Sequence, residues 1–133
     1  MKKQNLSLEH NFKPSTNTDR KPAAIVMLHG FGSDENDLFS FASELPESYA
    51  IISLKAPIPM QPYGNAWYNI YFDDANGKFS DDEQAIASRE LVVKCLDEIV
   101  EKYQVDAENI TLLGFSQGTI LSFAVALSYP EKV

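Results

Sequence analysis

Apolar residues are concentrated in three short runs, separated by segments of mixed polarity. The runs are Ala23 to Leu28, Tyr49 to Leu54 and Asn109 to Phe115. Because they are almost continuously apolar, these runs are typical of strands buried on both faces, as in a parallel sheet. Asn5 to Lys13 differs, because its apolar side chains recur at every second position. This period predicts a half-buried strand, whose inward face carries Leu6, Leu8, His10 and Phe12.

Other segments have the apolar spacing of helices. A short helix is predicted after Ser33 or Asp34 as its N-cap, with an apolar stripe of Leu38, Phe41, Ala42 and Leu45. A second helix is predicted to open with Ser80 and Glu83 in capping-box spacing and to run to about Tyr103, with Ile86, Val93, Leu96, Val100 and Tyr103 on one side. A third, Gln117 to Leu127, is apolar almost all round, so we expect it to be covered on most sides.

The predicted order is strand, strand, helix, strand, helix, strand, helix. This alternation indicates an α/β fold with a mostly parallel sheet, helices on both faces and right-handed crossovers. In such sheets ligands bind outside the carboxyl ends of the strands. Residues 29–32, 55–68 and 114–118 follow three of the predicted strands, so we expect the functional site among them.

Composition and charge limit the kinds of partner. Of the 133 residues, 44% are hydrophobic, which is enough to form a packed core. The net charge is -8, and without a basic stripe we expect no nucleic-acid partner. No apolar run reaches the roughly eighteen residues of a membrane span, and a cytoplasmic protein is expected. The single cysteine, Cys95, lies within the second helical pattern, where a packing role is favoured over a nucleophilic one.

The segment Gly114-Phe115-Ser116-Gln117-Gly118 has the pattern Gly-x-Ser-x-Gly between an apolar strand and a helix. In a nucleophile elbow of this kind, the serine adopts a strained backbone conformation that exposes its hydroxyl, and the glycines leave room for the bend. The helix that follows offers amide groups for an oxyanion. Ser116 is therefore a candidate nucleophile. The alternative is an ordinary turn in which Ser116 caps the helix.

A second glycine-rich turn, His29-Gly30-Phe31-Gly32, follows another buried strand. In an α/β-hydrolase, one oxyanion-hole amide comes from a loop in this position. The two loops are therefore predicted to converge on one site, although the second motif alone is equally consistent with a tight turn.

At these motifs the chain resembles the phospholipase/carboxylesterase family of small α/β-hydrolases, which is related to acyl-protein thioesterases. The matching segments, in chain order, are LHGFGSDENDLFSFA, APIPM, AWYNI, SDDE and GFSQGTILSFAVAL. The resemblance implies that Ser116 is the nucleophile and that the backbone N–H groups of Phe31 and Gln117 form the oxyanion hole. It also implies hydrolysis of small-molecule esters or acyl-thioesters without a metal or organic cofactor.

The chain departs from this family after Ser116. In this fold the catalytic acid and then the histidine follow the serine along the chain, but the seventeen residues after Ser116 contain no histidine. Glu131, the one acidic residue among them, lies about 18 Å away along the helix and is too distant. Of the upstream histidines, His10 is interpreted as a partly buried strand residue, and His29 as a residue that shapes its loop in the resembling family.

We therefore expect residues 1–133 to be the N-terminal part of a single α/β-hydrolase domain, ending before the later strands. The edge of the third run and the last helix would then lack cover, which favours association, including a homo-oligomer. The alternative to an esterase is a non-catalytic or incomplete hydrolase-like fragment that acts in binding or assembly.

Two further features are open to more than one interpretation. Trp67, Tyr68 and Tyr71 follow the second run and are candidates for an acyl pocket, because such sites are mostly apolar; packing within the loop explains them equally well. The acidic run Asp34 to Asp37 fits the start of a helix better than a metal site.

Overall fold

The computed structural model describes residues 1–73, 75 and 77–133. Its elements in chain order are β1 (His10–Lys13), β2 (Ala24–Leu28), α1 (Glu35–Phe39), β3 (Ala50–Leu54), β4 (Ile58–Pro59), β5 (Asn65–Ala66), β6 (Ile70–Asp73), β7 (Gly77–Ser80), α2 (Asp82–Tyr103), β8 (Ile110–Gly114) and α3 (Gln117–Ser128). Single 3₁₀ turns lie at Ala42–Glu44 and Pro130–Lys132.

Four strands form the central sheet in the order β1-β3-β2-β8. β2 pairs in parallel with both β3 and β8, and β1 runs antiparallel along β3. The mostly parallel α/β sheet expected from the sequence is thus confirmed. The segment between β3 and α2 contains two short antiparallel pairs, β4 with β5 and β6 with β7.

Helices cover both faces of the sheet, as expected. On one face, Val26 and Leu28 of β2 pack in a large cluster with side chains of α2 and α3. On the other face, Ile25 and Met27 pack with Leu38 of α1. Successive residues of a strand point to opposite faces, so burial on both faces explains why β2 is apolar throughout.

Two predictions for the N-terminal third need correction. The first strand begins at His10 rather than near Asn5, although the predicted face is the one that is buried. Asp34 is the N-cap of α1 and its carboxylate accepts the amide of Asn36, which confirms helix-start chemistry for the acidic run. Phe41 was placed in the apolar stripe, but it is 58% exposed because α1 ends at Phe39 and the 3₁₀ turn redirects the chain.

The start of the second helix is also different from the prediction. Ser80 pairs with Ile70 at the end of β7, and the N-cap is the next residue, Asp81, whose carboxylate accepts the amide of Gln84 at 3.1 Å. Ile86 is exposed rather than part of the buried stripe. The hydrogen-bonded ladder of β6 and β7 uses Ser80, so the cap moves one residue along the chain.

The last strand and helix are less buried than predicted. In β8, Ile110 is buried, Thr111 is exposed and the other residues are intermediate, because no strand pairs with its outer edge in the described part of the chain. The prediction that the last helix is covered on most sides is wrong, since three large side chains on its outer face are exposed: Ile120, Phe123 and Leu127.

Candidate active site

Two loops leave the same edge of the sheet and meet there. Leu28, the last residue of β2, is paired in register with Gly114, the last residue of β8. The Phe115 amide also donates to the carbonyl oxygen of Leu28 at 3.1 Å. The loop from His29 to Asp34 and the turn from Gly114 to Gly118 therefore start side by side.

Ser116 has an unusual backbone conformation at this turn, with φ 52° and ψ -118°. Such angles are costly for a residue with a Cβ atom, on the order of 1–3 kcal/mol, and must be imposed by the surrounding structure. The side chain is exposed and its hydroxyl makes no capping hydrogen bond to α3. Ser116 therefore occupies the N-cap position as an exposed residue, without the side-chain bond of a capping serine.

The glycines of both motifs permit the close approach of the two loops. A Cβ atom on Gly118 would overlap the carbonyl oxygen of Leu28, and one on Gly114 would lie 2.6 Å from the carbonyl oxygen of Gly118. A Cβ atom on Gly30 would lie 3.4 Å from the Cβ of Ser116. The first loop is thus in contact with Ser116, and its turn is completed by Gly32 at φ 80°.

The backbone amides of Phe31 and Gln117 lie on the two loops beside Ser116. In the described residues, neither amide donates a hydrogen bond to an acceptor of the chain. By contrast, the neighbouring amides of Gly32 and Ser33 donate to the carbonyl oxygens of Asn65 and Gly30. One donor on each loop therefore remains available for a ligand oxygen.

His29 is fully buried beneath the first loop, and both ring nitrogens have partners. Nε2 accepts the amide of Ala56 at 2.9 Å, so the proton lies on Nδ1, which donates to the carbonyl oxygen of Gly30 at 2.8 Å. Burial lowers the pKa of His29 and favours this neutral form. His29 thus shapes the loop, and neither nitrogen is free to take a proton from Ser116.

His10 is engaged in the core on β1, with its Nε2 2.6 Å from the hydroxyl of Tyr103. Burial lowers the pKa of His10 as well. Cys95 is buried on α2, and burial raises the pKa of its thiol to about 12, as expected for a packing residue. Among the described residues, no group of His, Cys, Asp and Glu is arranged to hold a metal ion.

Sequence reasoning missed a set of hydrogen bonds that joins the two loops through Trp67. The side-chain oxygen of Gln117 accepts the backbone amide of Trp67 at 2.8 Å, and its amide nitrogen donates to the carbonyl oxygen of Tyr68 at 2.8 Å. The indole N–H of Trp67 donates to the carbonyl oxygen of His29 at 2.8 Å. A glutamine at the start of a helix gives no indication in the sequence of hydrogen bonds to residues about 50 positions away.

The three predicted pocket residues have different environments. Trp67 and Tyr68 are buried next to Gln117, whereas Tyr71 lies on the β6–β7 hairpin and donates its hydroxyl to Asp81 at 3.1 Å. The Trp67 ring packs against the imidazole of His29. A role for these side chains in an acyl pocket stays a prediction.

The family model described as phospholipase/carboxylesterase matches residues 12–133. The chain belongs to this family of hydrolases. An uncharacterized hydrolase from Mycosarcoma maydis is 27% identical over 92% of this chain. Two solved carboxylesterases share the α/β-hydrolase fold with this chain. The one from Bacillus cereus matches with a TM-score of 0.79 and 21% identity over 96% of this chain. The one from Mesorhizobium loti matches with a TM-score of 0.78 and 20% identity, also over 96% of this chain.

The match to these relatives is partial in length. This family member covers 48% of the Mycosarcoma maydis hydrolase and 57% and 58% of the two carboxylesterases. The chain therefore spans about half the length of the relatives it matches. Within the described residues, no helix is both long enough and apolar enough to cross a membrane.

Proposed function

We propose that the chain carries the nucleophile and oxyanion hole of a serine hydrolase that cleaves small-molecule carboxylic esters or acyl-thioesters. The observation that carries this proposal is the geometry of Ser116, an exposed residue on a strained turn between β8 and α3. A backbone of this kind is stabilised only by specific packing, and it is characteristic of nucleophile elbows.

In this mechanism the Ser116 hydroxyl oxygen attacks the carbonyl carbon, and the alcohol or thiol leaves to give an acyl-enzyme. The negative charge that develops on the carbonyl oxygen is stabilised by the N–H groups of Phe31 and Gln117. Water then attacks the acyl group and releases the acid. No step requires a metal or organic cofactor.

The general base is proposed to come from outside residues 1–133. A serine hydroxyl is a poor nucleophile at neutral pH unless a base accepts its proton. Both ring nitrogens of His29 already have hydrogen-bond partners. His10 lies on β1, the strand farthest from β8, and is bonded to Tyr103 of α2. The relatives are about twice as long as this chain, and sequence of that kind is the proposed source of an acid and a histidine.

A fluorophosphonate probe tests the proposal, because it modifies activated serines. The 133-residue chain and a version extended by the sequence that follows in its reading frame would be compared. We expect labelling of the extended protein to be abolished in Ser116→Ala. If an extension that supplies an aspartate and a histidine leaves a folded protein unlabelled, the esterase proposal is wrong.

A second candidate is a non-catalytic fragment that acts in binding or assembly. It is favoured by the exposed outer face of α3, which resembles the apolar patches of interaction sites. A well-folded chain that never labels but associates with a partner would support it. A homo-oligomer, the cytoplasmic location, the absence of a nucleic-acid partner and the assignment of residues 1–133 to one domain stay predictions of the sequence.

A further inference from the structure

We propose that Trp67 is a positioning residue that fixes the distance between the two oxyanion-hole amides through Gln117 and His29. The inference rests on the proposed function, because it concerns the same two amides. It adds a role for a buried side chain that touches neither the substrate nor the reacting atoms.

The first link is the side chain of Gln117. Its carboxamide bonds two backbone groups of the segment 67–68, the Trp67 amide and the Tyr68 carbonyl oxygen, each at 2.8 Å. The Gln117 side chain is buried, so these bonds are shielded from water, and losing them would leave polar groups of the backbone without partners. The segment 67–68 is therefore fixed to the first residue of α3.

The second link is the indole of Trp67. Its N–H donates to the carbonyl oxygen of His29 at 2.8 Å, and its ring packs 5.5 Å from the imidazole of His29. Trp67 is fully buried, and the rigid indole spans the gap between its own backbone and the first loop. Trp67 thus donates its backbone N–H to the Gln117 side chain and its indole N–H to the carbonyl oxygen of His29.

The third link runs from His29 to the amide of Phe31. The Nδ1–H of His29 donates to the carbonyl oxygen of Gly30 at 2.8 Å. That carbonyl and the Phe31 N–H belong to the same planar peptide unit, so fixing one orients the other. A continuous set of bonds therefore connects the Gln117 side chain with the orientation of the Phe31 amide, although the two residues lie on different loops.

The consequence is a coupling between distant parts of the chain. Oxyanion stabilisation depends on donors that are held in place before the charge develops. If Trp67 sets the position of one loop relative to the other, removing the Gln117 bonds must loosen the loop from Gly30 to Ser33. If the bonds only hold segment 67–68, that loop stays unchanged.

Hydrogen exchange on Gln117→Met tests this coupling without requiring activity. Methionine has a similar length and leaves the backbone amide intact, but it cannot make either bond. The Ser33 amide is bonded to the carbonyl oxygen of Gly30 within the loop, and the Gly32 amide to the carbonyl oxygen of Asn65 on β5, so both report opening of the loop. We expect both to exchange about tenfold faster than in the wild type, relative to amides of β2 that report global unfolding.

Tyr103→Phe is the matched control. It removes a buried hydroxyl that bonds His10 and the Gln4 amide, next to β1 at the sheet edge opposite β8. It lowers global stability but should leave Gly32 and Ser33 unchanged relative to β2. If Gln117→Met does not fold, Trp67→Phe, which removes the indole N–H link together with part of a fully buried ring, is measured in the same way.

Labelling kinetics of the extended protein give the second measurement. Displaced donors slow the chemical step, so Gln117→Met should lower the maximal rate of fluorophosphonate labelling about 100-fold and leave the half-saturating probe concentration within about twofold. Unchanged exchange at Gly32 and Ser33 overturns the inference whether or not the protein labels. Faster exchange in a protein that never labels supports the coupling and rejects the proposed function instead.

Discussion

The inner and outer sides of α3 differ in burial although both are apolar. On the inner side Gly118, Leu121 and Val125 are buried against the sheet and α2. On the outer side Ile120, Phe123 and Leu127 are 59%, 65% and 81% exposed. The same helix is therefore a core element on one side and an uncovered apolar surface on the other.

The difference shows that polarity along a sequence indicates which side chains favour burial but not what buries them. Residues of this chain supply the cover for the inner side. For the outer side and the free edge of β8, the described residues supply no cover. The Bacillus cereus carboxylesterase shares this fold and is longer, since this chain covers 57% of it. The apolar residues on the outer side of α3 are therefore not explained by contacts among the described residues.

The largest expected effect on the free energy of unfolding comes from alanine substitutions at two adjacent residues of α3, one on each side. Leu121→Ala removes a buried side chain and should lower the free energy of unfolding by about 2–5 kcal/mol. Ile120→Ala, one position away, removes a side chain of similar size that is mostly exposed, and should change it by less than about 0.5 kcal/mol. Chemical denaturation monitored by Trp67 fluorescence measures both.

This pair also tests whether the outer side is open in solution. Alanine has a higher helix propensity than isoleucine, so Ile120→Ala should be neutral or slightly stabilising in an uncovered helix. A destabilisation close to that of Leu121→Ala would mean that something covers Ile120 in solution, and the comparison of the two sides would be wrong.

A smaller effect is expected from pH, through Cys95, which is buried on α2. Burial raises the pKa of its thiol from 9.0 to about 12. Above pH 9 the unfolded chain therefore loses a proton that the folded chain keeps, so stability falls as pH rises from about 9 to 12. By pH 11 the loss should be on the order of 2–3 kcal/mol, given at most 1.36 kcal/mol per pH unit.

Denaturation at several pH values in Cys95→Ala isolates this contribution. The variant should show a weaker decline, and the remainder includes Tyr68 and Tyr103, whose pKa values burial also raises. Adding Phe123→Cys to this background places a thiol on the exposed side, where no decline should return. Equal pH dependence in the wild type and Cys95→Ala would argue against a buried, protonated thiol.

The sequence was informative wherever a local pattern and the long-range structure agree. The apolar runs predicted the parallel strands because β2 and β3 are buried on both faces. The two glycine motifs predicted which loops meet, since parallel strands end at the same edge of the sheet. Ser116 could be singled out because its turn needs glycines at positions 114 and 118, where a Cβ atom would clash.

The remaining features depend on partners that are distant in sequence. Ser80 is a good N-cap by type, but pairing with Ile70 removes it from the helix start. Trp67 was considered as a pocket residue, and its bonds to Gln117 and His29 span 50 and 38 positions. No local pattern encodes such contacts, so the sequence predicted which loops meet but not what holds them together.

The smallest effect on stability is expected from polar substitutions on the outer side. Phe123→Ser and Leu127→Ser together should change the free energy of unfolding by less than about 1 kcal/mol, because each site is exposed and contributes within about 0.5 kcal/mol. Their effect should instead appear in association, since exposed apolar patches promote contacts between molecules. Analytical ultracentrifugation over a range of concentrations should give a lower average mass for the double variant than for the wild type.

The control is a serine substitution at Phe41. This side chain is likewise exposed, at 58%, but it lies on the opposite side of the sheet, so the substitution should leave the average mass unchanged. If the wild type is monomeric at every concentration, or all variants associate equally, the outer side of α3 does not drive self-association and the homo-oligomer predicted from the sequence loses its physical basis.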